Sequence, residues 1–328
     1  MNFQTPKKNQ WFSRISRAAV SLALLGLAVW FIDWENIRIA AAELSITMMI
    51  GATAILLLEF PVLGLRWHLL INDLSSLTLY SHLRLYFRAT FFNTFTLGQL
   101  GGDAYRFIAL GREDIPKSMI FGRLLQERVI GLIGFLVFFL LCLAYAKLAN
   151  LFSQGDQAYE INLAGAAIAL GLMAVLLGRP LIKMVNGLKL VAKTGWLSAA
   201  LTAVSEAVNY GSIKRLIPVF TLTIGGGCVI WTVAVVIVAT DVGVEASFAL
   251  MGMAAILSDL IRLVPITIQG VGVREASFAF VFKALGLDPA QGFVVGAISY
   301  LAVWAATLVI GVIGYLLPAS GTDLNDTV

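Results

Sequence analysis

FFNTFTLGQLGGDAYRFIAL, residues 91–110, is the stretch whose reading decides the fold. The chain on either side is almost continuously apolar, yet Asn93, Gln99, the Gly101–Gly102 pair, Asp103 and Arg106 crowd together within it. Hydrocarbon offers no partner to a backbone N–H or C=O. An irregular polar segment therefore survives at membrane depth only inside protein or against a wet cavity. The stretch is either an aqueous loop or the interrupted middle of a hairpin that dips into the bilayer, and the rest of the chain chooses between them.

Composition settles the solvent. Hydrophobic residues make up 59% of the 328 and charged residues 13%, with a mean hydropathy of +0.88. Soluble domains carry about 25% charged residues, so this is an integral membrane protein with no room for a hidden soluble catalytic domain. A spanning helix needs about 20 apolar residues. Runs of that kind lie at 15–32, 46–65, 128–146, 161–178, 216–240 and 291–317. The basic leader and first run resemble a signal peptide, but the run ends in VWFIDWEN without a small-residue cleavage site, so a retained helix is expected.

Lys and Arg in short loops orient the spans. Lys7, Lys8, Arg14 and Arg17 put the N-terminus in the cytoplasm, and Asp33, Glu35 and Glu43 put the next loop outside. Arg66, Arg84 and Arg88 return the chain to the cytoplasm, and Arg106, Arg112, Lys117, Arg123 and Arg128 are basic again before the next span begins. Region 84–110 thus starts and ends on one side, which predicts a re-entrant hairpin. In the second half, 147–160 is poor in base, whereas 179–215 carries Arg179, Lys183, Lys189, Lys193, Lys214 and Arg215. Its core, 180–213, reads as an in-plane amphipathic helix on an anionic leaflet, or more plainly as a linker helix. The broken region 246–286 then dips in from outside, and 291–317 brings the C-terminus to the cytoplasm. One hairpin from each face is the pattern of an inverted repeat. QLGGDAYR (99–106) and QGVGVREA (269–276) echo one another faintly, in different register.

The same parts recur in the two broken regions. Asp103, after the glycine pair, is an N-cap type residue, and Arg106 would project from the turn that follows. In PITIQGVGVREASFAFVF, Pro265 breaks a helix, Gly270 and Gly272 loosen the chain, and Arg274 and Glu275 open the next helix. Exposed amides at a helix start favour an anion, and a guanidinium matches a phosphate bidentately. The plainer reading of Asp103–Arg106 and Arg274–Glu275 is a pair of local caps and ion pairs. Intramembrane charge is costly and usually marks a substrate path, and its occurrence at both breaks favours function. Glu127 and Arg128 open a span with Arg123 on the same face as Glu127, and Asp259 and Arg262 also face together. Glu59, beside Pro61 in the second span, has no local partner and is the candidate for proton coupling. Gly225–Gly227 would permit close packing or a kink. Cys142 and Cys228 sit in apolar runs, and His68 and His82 read as interfacial. No metal, nucleic-acid or catalytic constellation is evident, and no cofactor is expected.

FFNTFTLGQLGGDAYRFIAL, LLQERVIGLIGFL and LIRLVPITIQGVGVREASFAFVF together resemble the lysylphosphatidylglycerol synthase transmembrane region, or flippase-like, family over about residues 15–317. That family shows an Asn…Gly-Asp…Arg segment, a Glu-Arg pair opening a helix and a late Pro…Gly-x-Gly-x-Arg-Glu segment. Its first segment often has Pro where this chain has LGQ. The resemblance implies a polytopic inner-membrane domain that binds or moves a phospholipid or related lipid between leaflets. The chain ends at YLLPASGTDLNDTV, so a stand-alone region without the soluble synthase domain, and no aminoacyl-lipid synthesis, is expected.

The expectation is an all-α polytopic membrane protein of about six full spans plus two re-entrant hairpins, 84–110 and 246–286. It forms one domain over 1–328, with a basic leader to residue 14 and a polar tail from 318. A lipid headgroup, anionic by this reading, would be held by Asn93, Gln99, Gly102, Asp103, Arg106, Glu127, Arg128, Gln269, Gly272, Arg274 and Glu275. The competing expectation is a non-transporting accessory subunit of a lipid- or glycan-modifying enzyme, with its polar residues concentrated on 180–213 rather than at depth. An intramembrane transferase would need Glu59 or Glu127 as its acid or base.

Overall fold

Residues 45–93, 100–113, 115–149, 213–245, 247–262 and 272–318 are described by a computed structural model of the chain. The spans expected at 15–32 and 161–178, the segment 180–213 up to its last residue, and Gln99 and Gln269 lie outside them. Among the described residues there are helices and turns and no strand. The remaining four expected spans are all found. They are α1 (Ile46–Ile71), α4 (Lys117–Leu148), the rod Leu216–Asp241 and α9 (Pro289–Leu316), each long and apolar enough to cross a membrane. The shortest has 26 residues, about 39 Å at 1.5 Å per residue, against roughly 30 Å of hydrocarbon.

The rod is not uniform. α5 (Ile213–Leu222) passes through a π-helical segment, Thr223–Ile230, into α6 (Trp231–Asp241). The segment contains Gly225–Gly227, so the triple glycine widens the helix rather than simply kinking it. Such π segments occur often at functional sites.

Each broken region is two short helices. α2 (Leu79–Asn93) and α3 (Leu100–Leu110) form the first, α7 (Phe248–Arg262) and α8 (Val273–Ala284) the second. The order span, broken pair, span therefore occurs twice, as α1–α2–α3–α4 and as α5/α6–α7–α8–α9. The two leading spans run antiparallel. At one end the Ser45 N–H donates to Asp241 Oδ2 (2.7 Å), and further along Arg66 Nη1 donates to Thr223 Oγ1 (3.3 Å).

The closing spans cross over. α9 lies on α2, and α4 lies on α7 with Phe138 edge-on to Phe248. At the end of α9, Arg84 Nε donates to the Leu317 carbonyl and Arg88 Nε to that of Gly314, each at 2.9 Å. These side chains satisfy carbonyls that a helix C-terminus leaves without partners, and their charge suits its dipole. Arg84, Arg88 and the end of α9, which the charge pattern put on one side of the bilayer, are thus at one end of the bundle.

Polarity is inverted relative to a soluble protein. Leu141 is 58% exposed and Phe280 66%, while Arg106, Arg123, Glu127, Asp259, Arg274 and Glu275 are buried. Water would not tolerate that distribution, and lipid requires it. The histidines are joined rather than separately interfacial. His68 Nδ1 and His82 Nδ1 are 2.7 Å apart, His82 Nε2 lies 3.1 Å from Ser75 Oγ, and Ser75 Oγ donates to Glu113 (2.9 Å). This chain ties α1, α2 and the turn after α3 together. Cys142 and Cys228 are free and buried.

Candidate functional site

The first broken pair is drawn together at Gly102. A Cβ there would lie 2.5 Å from Asn93 Oδ1 and 2.6 Å from the Ala89 carbonyl, so only glycine lets α3 approach α2 this closely. Asn93 Oδ1 accepts from the Gly102 N–H at 2.7 Å, and Phe92 stacks on Tyr105 with centroids 4.8 Å apart. The capping role that the sequence assigned to Asp103 belongs to Asn93. Asp103 falls inside the first turn of α3, where its carboxylate turns to arginines.

Those arginines build a network across three helices. Arg106 donates through Nη2 to Asp103 Oδ1 (2.6 Å) and through Nη1 to Glu127 Oε2 (2.7 Å). The other Glu127 oxygen accepts from Arg66 Nη2 on α1 (2.6 Å). Arg128 Nε donates to Asp103 Oδ2 at 2.9 Å. The Arg106 guanidinium also lies over Trp67 (4.2 Å) and Tyr86 (5.3 Å). The local pairing expected between Arg123 and Glu127 is replaced, because Glu127 faces two guanidinium groups from other helices while Arg123 pairs with Asp73 (2.7 Å).

The second pair is built differently. Gly272 adopts φ 81°, a left-handed conformation that a side chain disfavours, and its N–H donates to Glu275 Oε2 (2.8 Å) at the start of α8. Arg274, 2% exposed, reaches Asp259 on α7 at 3.5 Å and lies over Tyr300 (4.6 Å) and Trp231 (5.7 Å). Asp259 thus meets Arg274 from the helix across the break, while the Arg262 side chain, which the sequence set beside it, lies outside what is described.

Two adjoining cavities lie between the pairs. The larger, about 380 Å³, is lined by Glu59, Arg66, Asn93, Asp103, Arg106, Glu127, Arg128 and Asp259, with Gly227 of the π segment. The smaller, about 140 Å³, is lined by Glu59, Asn93, Asp259 and Arg274 together with Phe60, Tyr86, Trp231, Tyr300 and Trp304. Glu59, Leu63, Tyr86, Asn93 and Asp259 belong to both. Helices flanking both breaks therefore contribute side chains to one polar region.

Of the expected site residues, Asn93, Asp103, Arg106, Glu127, Arg128 and Arg274 line this region, and so does Glu59. Gly102, Gly272 and Glu275 shape the backbone beside it. Sequence reading missed Arg66 as a site residue, although Arg66 follows Glu59 by two helical turns on one face of α1. It also missed the aromatic wall, because Trp231 and Tyr300 sit in apolar runs that do not show which face turns inward. Two buried donors on the lining, Arg66 Nε and Trp231 Nε1, have no hydrogen-bond partner among the described residues. Leaving such donors unmet costs about 1–3 kcal/mol each.

The sequence profile described as "Lysylphosphatidylglycerol synthase TM region" matches residues 15–311. Comparisons with curated proteins and with solved structures give no match.

Proposed function

The chain belongs to the lysylphosphatidylglycerol synthase TM region family, and from that premise we propose that it is a lipid translocator of the plasma (inner) membrane, with both termini cytoplasmic. The observation that carries this reading is the convergence of ionised groups from both broken pairs on adjoining cavities, inside a bundle whose outer surface is apolar. A lipid headgroup enters the polar region while its acyl chains remain in the surrounding bilayer.

In this reading α2–α3 and α7–α8 are re-entrant hairpins of an inverted repeat. The antiparallel α1 and α5/α6 and the crossed packing of α4 and α9 support that symmetry. Each headgroup contact replaces part of the hydration lost in leaving the interface. The unmet donors of Arg66 and Trp231 suit the oxygens of a phosphate or ester. Glu59, on both linings, is the residue placed to couple the cycle to protons. Glu127, clamped by two arginines, holds the site together rather than transferring protons, so a carrier fits the arrangement better than an enzyme. An accessory subunit would keep its polar residues off the membrane interior, and the charge at depth argues against it.

The test is leaflet-resolved translocation of a headgroup-labelled phospholipid by the purified chain in vesicles. Arg106→Ala and Arg274→Ala should each reduce the rate at least about tenfold, the loss of one charged contact. Unchanged rates in both variants would refute the role given to the cavity.

A further inference from the structure

The charges lining the two cavities balance. Among the described residues, the bases are Arg66, Arg106, Arg128 and Arg274 and the acids are Glu59, Asp103, Glu127 and Asp259. Every one of these bases already has a carboxylate within salt-bridge distance. A purely anionic headgroup would therefore meet arginines whose charge is already matched by carboxylates. It would also leave the site with an uncompensated negative charge where water is scarce, and buried unpaired charge is expensive. A headgroup carrying one phosphate and one ammonium adds no net charge.

The two cavities differ in the way such a headgroup requires. The larger contains three of the four arginines as well as the four acids, and Arg128, at 42%, is by far the most exposed of the arginines. The smaller sets one arginine against Glu59 and Asp259, which it shares with the larger, and is walled by five aromatic rings, with Arg274 already stacked on two of them. Carboxylates and aromatic faces are the chemistry that receives an ammonium group. We infer that the preferred lipid is zwitterionic, a phospholipid with a primary or substituted ammonium in its headgroup. Its phosphate lies in the larger cavity near Arg128, and its ammonium lies in the smaller cavity between Glu59, Asp259 and the rings. This inference rests on the reading of the cavities as a headgroup site and narrows the anionic headgroup expected from sequence.

The test separates binding from transport. Short-chain phosphatidylethanolamine and short-chain phosphatidylglycerol are titrated into the purified full chain, and binding is read from thermal unfolding. The unaltered protein should prefer phosphatidylethanolamine by roughly tenfold or more, the scale of one charge contact. Glu59→Gln removes one acid and leaves the lining positive. It should move the preference toward phosphatidylglycerol by a similar factor, a gain that misfolding cannot imitate. Arg128→Gln, at an exposed position the fold can tolerate changing, should move the preference the other way.

Equal or tighter binding of phosphatidylglycerol by the unaltered protein would overturn the inference, as would binding of neither lipid or a ratio that both substitutions leave unchanged. Selective binding of phosphatidylethanolamine without translocation in vesicles would leave the inference standing and remove the translocator reading instead.

Discussion

The two broken pairs do the same job with different forces. Around α3, four charged groups from α3 and α4, with Arg66 of α1, form a continuous chain of short ion pairs: Arg66, Glu127, Arg106, Asp103, Arg128. Around α8, among the described residues, Arg274 reaches Asp259 at 3.5 Å and spreads its cation over two aromatic rings. The first arrangement resembles a lattice that fixes three helices relative to one another. The second is a single buried cation cushioned by polarisable faces. Coulomb attraction at low dielectric is strong only at short distance and with the desolvation of both partners met. The network at α3 therefore resists disruption of its geometry, whereas the α8 pair can change partners at smaller cost.

This difference can be broken in order of effect. Glu127→Gln removes the shared negative charge from two buried arginines and turns an amide NH2 toward one of them, and it should destabilise the protein by about 3–5 kcal/mol in detergent unfolding. The matched change Asp259→Asn should cost clearly less, and equal losses would erase the contrast drawn above. Gly102→Ala forces a methyl against Asn93 and the Ala89 carbonyl, so about 1–3 kcal/mol should be lost as α3 is pushed off α2. A null result there would show the approach of the two helices to be adjustable.

Arg274→Lys keeps the charge but gives up the planar face that stacks on Tyr300. The expected loss is about 0.5–2 kcal/mol in stability, with a larger relative loss in lipid binding. The same change at Arg106, whose contacts are directional, should cost more. Arg128→Ala, at the exposed edge of the network, should change stability by less than about 1 kcal/mol while lowering translocation. A stability loss as large as that of Glu127→Gln would make Arg128 part of the lattice rather than of the lipid path.

Much of this was legible one residue at a time. Apolar runs of spanning length locate α1, α4, the α5/α6 rod and α9, because a bilayer fixes the length a helix must have. The polar interruptions within 84–110 and 246–286 mark both broken pairs, because glycine and charge within an apolar chain are costly unless they serve something. Partnership was not legible. Arg123 and Glu127 stand four apart on one helix, as do many stabilising pairs, but Glu127 is also opposite Arg66 and Arg106, and two short contacts outweigh one local one. Asn93 rather than Asp103 meets the first amides of α3 because α2 returns alongside, which sequence spacing across an irregular tip cannot show.

By itself the sequence determined that the chain belongs in a membrane, where the four described spans fall, and that polar residues interrupt two apolar regions. These follow from composition and length, which the solvent reads residue by residue. Only the tertiary structure decided that helices flanking both interruptions line adjoining cavities, that the acids and bases among the described lining residues balance, and that Trp231 and Tyr300 face a cation. Such facts depend on which helix faces are turned inward, and that is set by packing between segments far apart in the chain.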